Sequence, residues 1–545
     1  MCGIFSLLNN NVFDIDIVNK SFQKGKSRGP ENSQLTKVNI LCDFGFHRLA
    51  INGLNVKSNQ PITLHDITLI CNGEIYNHEK LYLLLSIVPK TESDCEIIIH
   101  LYEKYGIEYT LQLLDGVFSF ILCDSRLTNE DSRIYIARDP YGVRPLYYLK
   151  PKNNNIYGFA SEIKVLIDLH KESSSHEIIH FEPGTYSIFS LPTTVSPKWY
   201  PIIENRKYHS NNIVYNNLNY FDAIYDLLCS SVKKRVLNTE RPIACLLSGG
   251  LDSSLITSLV CHYMNPETVL ETYSIGLQDS EDLKYAKIVA DFLGTKHTEV
   301  ILTEQDFLDA IPEVIYAIES YDTTTVRASI GNYLIAKYIS EHSEAKVIFN
   351  GDGADELCGG YLYMNYAKDC LDFDFETRRL LTDIHKFDVL RSDKSISSNG
   401  LEPRTPFLDK TFVQYYLNID PTIRFHTENN QCEKYLLRKS FDRKIGNRNV
   451  LPDEILWRKK EAFSDGVSKK SRSLYEIIQE HVSNMENIPI VYKHNNPDTL
   501  EKQYYRYIYE QHYPNTEKNI PYFWMPKWVN ATDASARTLD IYNEK

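Results

Sequence analysis

Several features that this sequence lacks exclude whole classes of protein. It has no apolar run long enough to cross a membrane, and its apolar start, residues 1–8, is short and carries no basic residue. Neither a membrane protein nor a secretory signal peptide is therefore expected. Basic residues are outnumbered, because 59 Lys and Arg stand against 72 Asp and Glu, for a net charge of −13 at pH 7. Since nucleic acids and anionic membranes bind basic surfaces, neither is expected as a partner.

Paired cysteines are also missing. The 11 cysteines are an odd number, they are scattered along the chain, and no two are spaced as Cys-x-x-Cys. Disulfide frameworks and zinc sites need paired or clustered cysteines, so this spacing predicts reduced thiols. Together with the lack of a targeting segment, it predicts a cytoplasmic protein.

The length and the pattern of apolar residues predict two domains. A chain of 545 residues exceeds what one hydrophobic core usually organises. Short apolar runs separated by turns predict a sheet-rich domain over residues 2–190. Apolar periodicity fades over 191–219, where a linker is expected. Strands and helices alternate over 220–545, which predicts a mostly parallel sheet with ligands at the carboxyl ends of its strands.

Cys2 would carry two reactive groups once Met1 is removed. The chain would then begin with a thiol and a free α-amino group on one residue. An α-amino group has a pKa of roughly 7.7 to 8.0, so it can accept the thiol proton during attack on an amide. By themselves, residues 1–3 fit equally well a small second residue with no catalytic role.

Four further motifs favour the catalytic interpretation. They are Ser-Arg-Gly-Pro-Glu at 27–31, Phe-His-Arg-Leu-Ala at 46–50, Cys-Asn-Gly-Glu-Ile-Tyr-Asn at 71–77 and Glu-Ser-Asp-Cys-Glu at 92–96. With Cys2 they resemble class II glutamine amidotransferases, whose N-terminal nucleophile (Ntn) hydrolase domain is an αββα sandwich. The resemblance implies that Cys2 is the nucleophile of a glutaminase.

The same resemblance implies which residues bind glutamine. An arginine fork suits the α-carboxylate and two acids suit the α-ammonium group. Asn72 and the N–H of Gly73 would also form the oxyanion hole. The glutamine-binding residues implied in this way are Arg48, Leu49, Ala50, Ile51, Asn52, Asn72, Gly73, Glu74 and Asp94.

Three of these residues also have an ordinary structural interpretation. Asn-Gly between apolar runs is a strong hairpin-turn signal, and for Asn72 and Gly73 taken alone the turn is favoured. Asp94 precedes apolar residues at helical spacing, which is typical of a helix N-cap and compatible with ligand binding.

A glycine loop at 248–254, Ser-Gly-Gly-Leu-Asp-Ser-Ser, lies between a predicted strand and a predicted helix. Two glycines and a helix start favour a phosphate group, and the Walker A pattern is absent. The loop resembles the pyrophosphate loop of ATP pyrophosphatases, which implies a doubly wound sheet. The residues implied to bind ATP here are Ser248, Gly249, Gly250, Asp252, Ser253 and Ser254.

Further motifs resemble the asparagine synthetase family, in its eukaryotic branch, over nearly the whole chain. They lie at 273–277, 321–329, 349–356, 359–363, 402–409, 457–461, 463–467, 522–528 and 531–538. The fold this implies is α/β and α+β, with the Ntn αββα sandwich followed by a doubly wound parallel-sheet ATP-pyrophosphatase domain whose last part is helical.

The family resemblance assigns roles to further residues. Leu246, Ile275, Asn350 and Gly351 would line the ATP site, and Thr324, Thr325 and Arg327 match positions for aspartate and pyrophosphate. Mg²⁺ prefers oxygen ligands, and the carboxylates implied to bind it are Asp252 and Asp355.

Two catalytic positions complete the implied site. Lys460 would neutralise charge on the α-phosphate, although in a basic run it also fits a solvated side chain. Asp352 would assist acyl-adenylate formation and proton transfer from ammonia. Many members carry glutamate at 352, so the side chain is one methylene shorter here, and Asn350 stands where serine is common.

The resulting hypothesis is a glutamine-hydrolysing synthesis of asparagine from aspartate and ATP, through a β-aspartyl-AMP intermediate and with ammonia crossing an internal path. One alternative is a related adenylating amidotransferase, such as a β-lactam synthetase relative, acting on another carboxylate. Another is a catalytically silent protein that binds glutamine or ATP, for which Asp352 and Asn350 would be the signs. The family resemblance implies a homodimer.

Overall fold

The chain divides into two units in the computed structural model, which describes residues 1–39, 41–126, 131–152, 154–172, 176–192, 197–209, 219–427, 431–459, 472–483, 491–531 and 533–535. Unit 1 comprises Met1–Asn211, Ser397–Leu401 and Glu510–Asn519. Unit 2 comprises Asn212–Ile396, Glu402–Tyr509 and Ile520–Lys545.

Unit 1 contains two antiparallel sheets, each with six strands among the described residues. The strands are β1 (Gly3–Leu8), β2 (Asn32–Asn39), β3 (Cys42–Arg48), β4 (Ile62–Leu64), β5 (Ile67–Ile75), β6 (Gly116–Asp124), β7 (Ser132–Arg138), β8 (Tyr147–Pro151), β9 (Tyr157–Ala160), β10 (His176–His180), β11 (Thr185–Leu191) and β12 (Tyr200–Lys207). The first sheet has the order β10-β8-β9-β1-β3-β2 and the second β12-β11-β7-β6-β5-β4. The helices are α1 (Ile15–Gln23), α2 (His78–Leu85), α3 (Ile97–Leu113) and α4 (Ile167–Glu172).

The two sheets pack face to face with a helix layer on each outer side. One buried cluster joins Ile4 and Phe44 of the first sheet to Ile70 and Ile121 of the second. The next residues along β5 point to the opposite face, because side chains alternate along a strand, and there Leu69 packs with residues of α3. On the outer side of the first sheet, Phe22 of α1 lies over Phe5, with ring centroids 6.0 Å apart. The predicted αββα sandwich is confirmed.

Unit 2 is built on a five-stranded parallel sheet among the described residues. Its strands are β13 (Ile243–Leu246), β14 (Glu271–Leu277), β15 (Lys296–Leu302), β16 (Val347–Phe349) and β17 (Glu402–Arg404), in the order β15-β14-β13-β16-β17. The order reverses between β13 and β16, and such a switch point is where doubly wound sheets bind ligands. A small antiparallel pair, β18 (Lys444–Ile445) and β19 (Arg448–Asn449), lies outside the main sheet.

Helices account for most of the remaining chain after residue 219. They are α5 (Tyr220–Leu237), α6 (Leu251–Tyr263), α7 (Glu281–Leu293), α8 (Glu304–Asp309), α9 (Ile311–Ile318), α10 (Thr323–His342), α11 (Ala354–Cys358), α12 (Cys370–Asp383), α13 (Asp388–Ser397), α14 (Lys410–Asn418), α15 (Pro421–Arg424), α16 (Tyr435–Phe441), α17 (Asp453–Leu456), α18 (Leu474–Ser483) and α19 (Leu500–His512). Among the described residues, no helix combines the length and the apolar character that crossing a membrane requires.

Local sequence signals fix several of these helix ends. Gly294, with φ +73°, ends α7 in the left-handed conformation that glycine adopts at low cost. Thr303 and Asp306 form a reciprocal capping box at the start of α8. Asp322 caps α10 by accepting the backbone N–H of Thr325. Burial raises the pKa of Asp322 to about 6, although three hydrogen bonds to its carboxylate oppose the shift.

Strand β12 lies inside the stretch that the sequence analysis assigns to a linker, 191–219. It pairs with β11 at the edge of the second sheet and is mostly exposed, with only Pro201 and Ile203 half-buried. An exposed edge strand needs few apolar residues, which explains why its periodicity is faint. The boundary between the two units, at Asn211, also falls within this stretch.

Two later stretches of the chain return to unit 1, and hydrogen bonds hold them there. The N-terminal ammonium of Met1 donates to the carbonyl of Leu401 at 3.3 Å, and the Arg28 guanidinium donates to the Ser397 hydroxyl at 2.8 Å. The side-chain amide of Asn519 donates to the carbonyl of Ile178 at 2.9 Å.

Candidate active sites

Cys2 immediately precedes β1, a strand of the first sheet of unit 1. Its half-buried thiol is 3.6 Å from the carbonyl of Leu49, and its own carbonyl accepts the Nε–H of Arg28 at 3.0 Å. The hydroxyl of Ser161 links this strand to β5, because it accepts the N–H of Ile4 at 3.1 Å and lies 3.5 Å from Nδ2 of Asn72. The structure thus brings the predicted nucleophile and Asn72 to one place.

Asn72 and Gly73 are strand residues of β5, paired with Ser119 and Phe118 of β6, so the hairpin alternative is wrong. A Cβ atom at Gly73 would lie 2.4 Å from the carbonyl oxygen of Val117, which leaves room for glycine alone. Within the described part of the chain, Oδ1 of the fully buried Asn72 has no hydrogen-bond partner. A buried amide in this condition is suited to a ligand.

Arg48 is held by the loop that follows β3. One guanidinium nitrogen donates to the carbonyl of Asn55 at 2.9 Å and to Oδ1 of Asn59 at 2.6 Å, and the other donates to the carbonyl of Gly53. The buried residues Leu49, Ala50 and Ile51 follow it in the same loop. Arg48 is therefore fixed in position by main-chain carbonyls close to it in sequence.

Glu74 and Asp94 are both only 4% exposed and are held near the end of β5. The Glu74 carboxylate accepts the Asn52 amide at 2.9 Å, and the Asp94 carboxylate accepts the N–H of Ile75 at 2.6 Å. Asp94 is not the predicted helix cap. It lies in a short 3-10 turn, Asp94–Glu96, that leads into α3, and the cap of that turn is Ser93, whose hydroxyl accepts the N–H of Cys95 at 3.3 Å.

Glu31 contacts the same loop, although the sequence predicts no individual role for it. Its carboxylate accepts the backbone N–H of Ala50 at 2.7 Å, next to Arg48 and Leu49. The motif at 27–31 ends on this residue, so the signal was present in the sequence as part of a motif.

In unit 2, the loop between β13 and α6 presents backbone amides at the start of a helix. Gly250 is the N-cap of α6, and the Ser253 hydroxyl accepts the N–H of Ser248 at 3.2 Å. Gly249 has φ +71°, and a Cβ atom there would lie 2.4 Å from the backbone of α7 at Ala286. Ser254 is fully buried behind the loop. Amides at a helix start favour a bound anion.

A cavity opens at the switch point, where this loop meets the residues that follow β16. The predicted ATP residues Leu246, Ser248, Ile275, Asn350 and Gly351 all line it. A Cβ atom at Gly351 would lie 2.8 Å from the main chain of Asp252, so the two loops are in contact. The cavity therefore lies at the carboxyl ends of the neighbouring parallel strands β14, β13 and β16, as the sequence predicts.

Asp252 and Asp355 meet inside this cavity around the ammonium of Lys434. Nζ of Lys434 is 2.5 Å from Oδ2 of Asp252 and 2.5 Å from Oδ1 of Asp355. Burial disfavours the charge of Lys434, but the two carboxylates outweigh it and raise the pKa of this lysine above its usual value. The two acids already share one cation, and their oxygen donors suit Mg²⁺.

These two carboxylates fit a magnesium ion that is bound together with phosphates. Over the described ranges, no group of three or more His, Cys, Asp or Glu side chains surrounds one point. Magnesium at nucleotide sites is typically held by one or two carboxylates, with phosphate oxygens and water completing the shell. Asp252 and Asp355 match that donor set.

Asp352 and Asn350, the two departures from the family pattern, are both fixed by α13. Arg391 donates to Oδ1 of Asp352 at 3.0 Å and to Oδ1 of Asp388 at 2.9 Å. Burial opposes the charge of Arg391, but these carboxylates raise its pKa above the usual value. The Asn350 amide donates to the Ser392 hydroxyl at 2.7 Å, and its Oδ1 accepts the N–H of Asp352 at 3.3 Å. A serine is too short to make both contacts.

The three residues at 324, 325 and 327 are not brought to the same place. Thr324 lines the cavity, and its buried hydroxyl has no hydrogen-bond partner among the described residues. Thr325 donates to Asp322 at 2.8 Å and so secures the start of α10. Arg327 is absent from the described cavity lining, and it is buried between the carboxylates of Glu501 and Asp533.

Three basic residues of the site were missed individually by the sequence analysis: Lys434, Arg391 and Arg458. Arg458 donates to the carbonyl of Gly249 at 3.1 Å, and its guanidinium lies 3.8 Å from the centre of the Tyr285 ring. Its position beside Lys460 in the motif at 457–461 was a usable signal. Lys434 and Arg391 gave no comparable signal. Lys460 itself lies outside the described residues.

Comparisons with known proteins agree with the two-unit arrangement. Residues 1–191 match the family model described as "Glutamine amidotransferase domain", and residues 223–376 and 369–531 match the one described as "Asparagine synthase". The chain is 39% identical over 572 residues to the protein named "Asparagine synthetase [glutamine-hydrolyzing]" of Homo sapiens, which covers 99% of both chains. It is 39% identical over 569 residues to the protein of the same name from Gallus gallus, again over 99% of both.

Proposed function

The chain belongs to the glutamine-hydrolysing asparagine synthetase family, and we propose that it converts L-aspartate, L-glutamine, ATP and water to L-asparagine, L-glutamate, AMP and diphosphate. The observation that supports the proposal is that one chain brings the expected residues together in two separate groups. Cys2 lies beside Asn72 in one of them, and a glycine loop faces Asp355 in the other.

In unit 1, removal of Met1 frees the α-amino group of Cys2, which takes the thiol proton as sulfur attacks the glutamine amide. The amide of Asn72 and the N–H of Gly73 stabilise the oxyanion that develops. Ammonia leaves, and water then hydrolyses the glutamyl thioester. Glu74 and Asp94 are buried anions and suit the substrate α-ammonium group, while Arg48 suits its α-carboxylate.

In unit 2, the β-carboxylate of aspartate attacks the α-phosphorus of ATP, and diphosphate leaves. Backbone amides at 248–250 bind phosphate oxygens, and Leu246 and Ile275 border the nucleoside. Asp252 and Asp355 would hold Mg²⁺, whose chemistry is to neutralise phosphate charge. The Thr324 hydroxyl, buried in the cavity lining, is available to aspartate or diphosphate.

Ammonia then attacks the acyl carbon of β-aspartyl-AMP, and AMP leaves. Asp352, held in the cavity lining by Arg391, accepts a proton from the incoming ammonia. The Arg391 contact fixes the direction of this shorter carboxylate. Lys460 would stabilise the charge on the α-phosphate, as the family resemblance implies.

The proposal also covers the cellular compartment and the oligomeric state of the enzyme. None of the 11 cysteines, all within the described ranges, forms a disulfide, which supports a reducing cytoplasm. A homodimer is proposed from the family resemblance, and light scattering after size-exclusion chromatography tests it.

Diphosphate release by the purified chain tests the reaction. With ATP and Mg²⁺ present, release should depend on L-aspartate, and asparagine should form only when glutamine or ammonium is added. Diphosphate release that is the same without aspartate, or that is faster with another carboxylic acid, would exclude this substrate. The mass of the N-terminal peptide gives a second measurement, because the glutaminase step requires loss of Met1.

A further inference from the structure

Lys434 occupies a position that the reaction described above does not use. It lies inside the cavity and its side chain is only 1% exposed, so its charge is removed from solvent. A buried ammonium is costly unless anions surround it. Here both of its close partners, Asp252 and Asp355, are the carboxylates assigned to magnesium.

The backbone around Lys434 is shaped to allow this arrangement. Lys434 has φ +57° and ψ +28°, a left-handed conformation that a lysine rarely adopts. Gly360 faces it, and a Cβ atom there would lie 1.9 Å from Cε of Lys434 and 2.1 Å from Oδ1 of Asp355. The left-handed backbone of Lys434 and the absence of a side chain at Gly360 are two independent features that fit the placement of the ammonium between the two acids.

We propose that Lys434 is a positioning residue that holds Asp252 and Asp355 together before the nucleotide binds and keeps magnesium from binding there alone. The inference rests on the proposed function, since it takes these acids as the metal ligands. A metal ion arriving without nucleotide must displace the ammonium and leave it buried without its anions, which is unfavourable. When the nucleotide arrives with the metal, phosphate oxygens supply negative charge for both cations.

The consequence is that metal and nucleotide bind cooperatively. A coupling between two sites typically changes an affinity by about 5- to 150-fold, so an effect of about 10-fold or more is expected here. The coupling depends on one positive charge at 434. Removing that charge should strengthen metal binding in the absence of nucleotide.

The test measures Mn²⁺ binding to the full chain by electron paramagnetic resonance, with and without α,β-methylene-ATP. Wild type should bind Mn²⁺ weakly alone and at least about 10-fold more tightly with the analogue. Lys434→Met should bind Mn²⁺ without nucleotide about 10-fold more tightly than wild type, and adding Asp252→Asn should remove the gain. The matched control is Lys439→Met, which removes an exposed, ion-paired lysine from the same helix region and should behave as wild type.

The outcomes separate this inference from the proposed function. If Asp252→Asn and Asp355→Asn bind Mn²⁺ with the analogue as wild type does, the metal assignment is wrong. If those variants lose binding but Lys434→Met gains none without nucleotide, the metal assignment stands and the role of Lys434 is overturned. If Lys434→Met does not fold, the wild-type chain still tests the proposal. Wild-type Mn²⁺ affinity that is as high without the analogue as with it would contradict the proposal.

Discussion

The two candidate sites hold their charged groups in different ways. In unit 1, charged side chains are held largely by main chain, as Arg48 is by the carbonyl of Asn55 and Asp94 is by the N–H of Ile75. In unit 2, charged side chains hold one another over long sequence distances, and Lys434 is 182 residues from Asp252. A site held by nearby main chain can be predicted from short motifs. In a site held by distant ion pairs the motifs do not reveal the partners, and the site depends more on each single charge.

Replacing Cys2 by Ala should give the largest difference between the activities of the two units. Glutamine-dependent asparagine formation should fall by about 10³-fold or more, because the nucleophile is lost. Ammonium-dependent formation should persist, since no group in the second site changes. Asparagine is measured with each nitrogen donor, and Cys370→Ala, which alters a half-buried thiol of unit 2, serves as the control. Loss of both activities in Cys2→Ala would contradict the division of labour.

Replacing Asp252 by Asn tests the ion-paired site of unit 2. Diphosphate release should fall by about 10²-fold, because both the proposed metal ligand and a partner of Lys434 are lost. Leaving Lys434 with one carboxylate should also lower the free energy of unfolding by about 3 kcal/mol.

Both effects of Asp252→Asn can be checked against an exposed acid of the same unit. Asp291→Asn breaks only a surface pair with Lys287 and should change neither quantity appreciably. Glutamate release from glutamine should be kept in both variants. An Asp252→Asn enzyme that releases diphosphate at the wild-type rate would remove this residue from the site.

Two neighbouring glycines in the loop at 248–254 should respond very differently to alanine. Gly249 has φ +71° and no room for a Cβ atom, whereas the nearest atom to a Cβ at Gly250 is the Ser248 hydroxyl at 3.4 Å. Gly249→Ala should therefore lower diphosphate release by about 10-fold through displacement of the loop, and Gly250→Ala should cost clearly less. Steady-state diphosphate assays at varied ATP concentration compare the two variants. Equal losses of activity would show that the space available for a Cβ atom does not determine the effect.

The smallest expected effect concerns acid stability in unit 1. Burial lowers the pKa of His47 to about 4, from 6.5, although a hydrogen bond to the Phe22 carbonyl opposes the shift. The unfolded chain takes up this proton at higher pH than the folded chain does, so stability is lost as pH falls from about 6.5 towards 4. Between pH 7 and 5 the loss should be about 2 kcal/mol.

Hydrogen exchange of β1 and β3 at pH 7 and pH 5, corrected for intrinsic rates, measures this loss. His47→Gln should be less stable at pH 7 but should lose less on acidification. His65→Gln changes an exposed histidine of the same unit and should follow wild type. A His47→Gln chain with the full acid loss would assign the effect to other groups.

The contrast between the sites also explains which parts could be predicted from the sequence. The strand β5 and the loop at 248–254 follow from apolar runs and glycines, whose physical effect is local. Strand β12 was not predicted from the sequence, because an exposed edge strand needs little apolar surface. For Asp94, predicted to bind glutamine, the cap alternative is wrong because the adjacent Ser93, which fits the same sequence signal, is the residue that caps the turn.

Side chains outside the motifs are positioned by contacts between residues far apart in the sequence, and no local sequence pattern predicts such contacts. Arg391 meets Asp352 only because α13 packs beside the residues after β16. Arg327 is buried between Glu501 and Asp533, more than 170 residues away along the chain. The sequence therefore points to the groups proposed to do chemistry more readily than to the groups that hold them.

A stand-alone glutaminase could not be cut from this chain at one point, because unit 1 is assembled from three stretches. A fragment ending at residue 211 would deprive the Ile178 carbonyl of the Asn519 amide and the Arg28 guanidinium of the Ser397 hydroxyl. Since Arg28 is buried and also binds the carbonyl of Cys2, the damage would extend to the nucleophile. An engineered fragment would have to carry residues 397–401 and 510–519 as grafted segments.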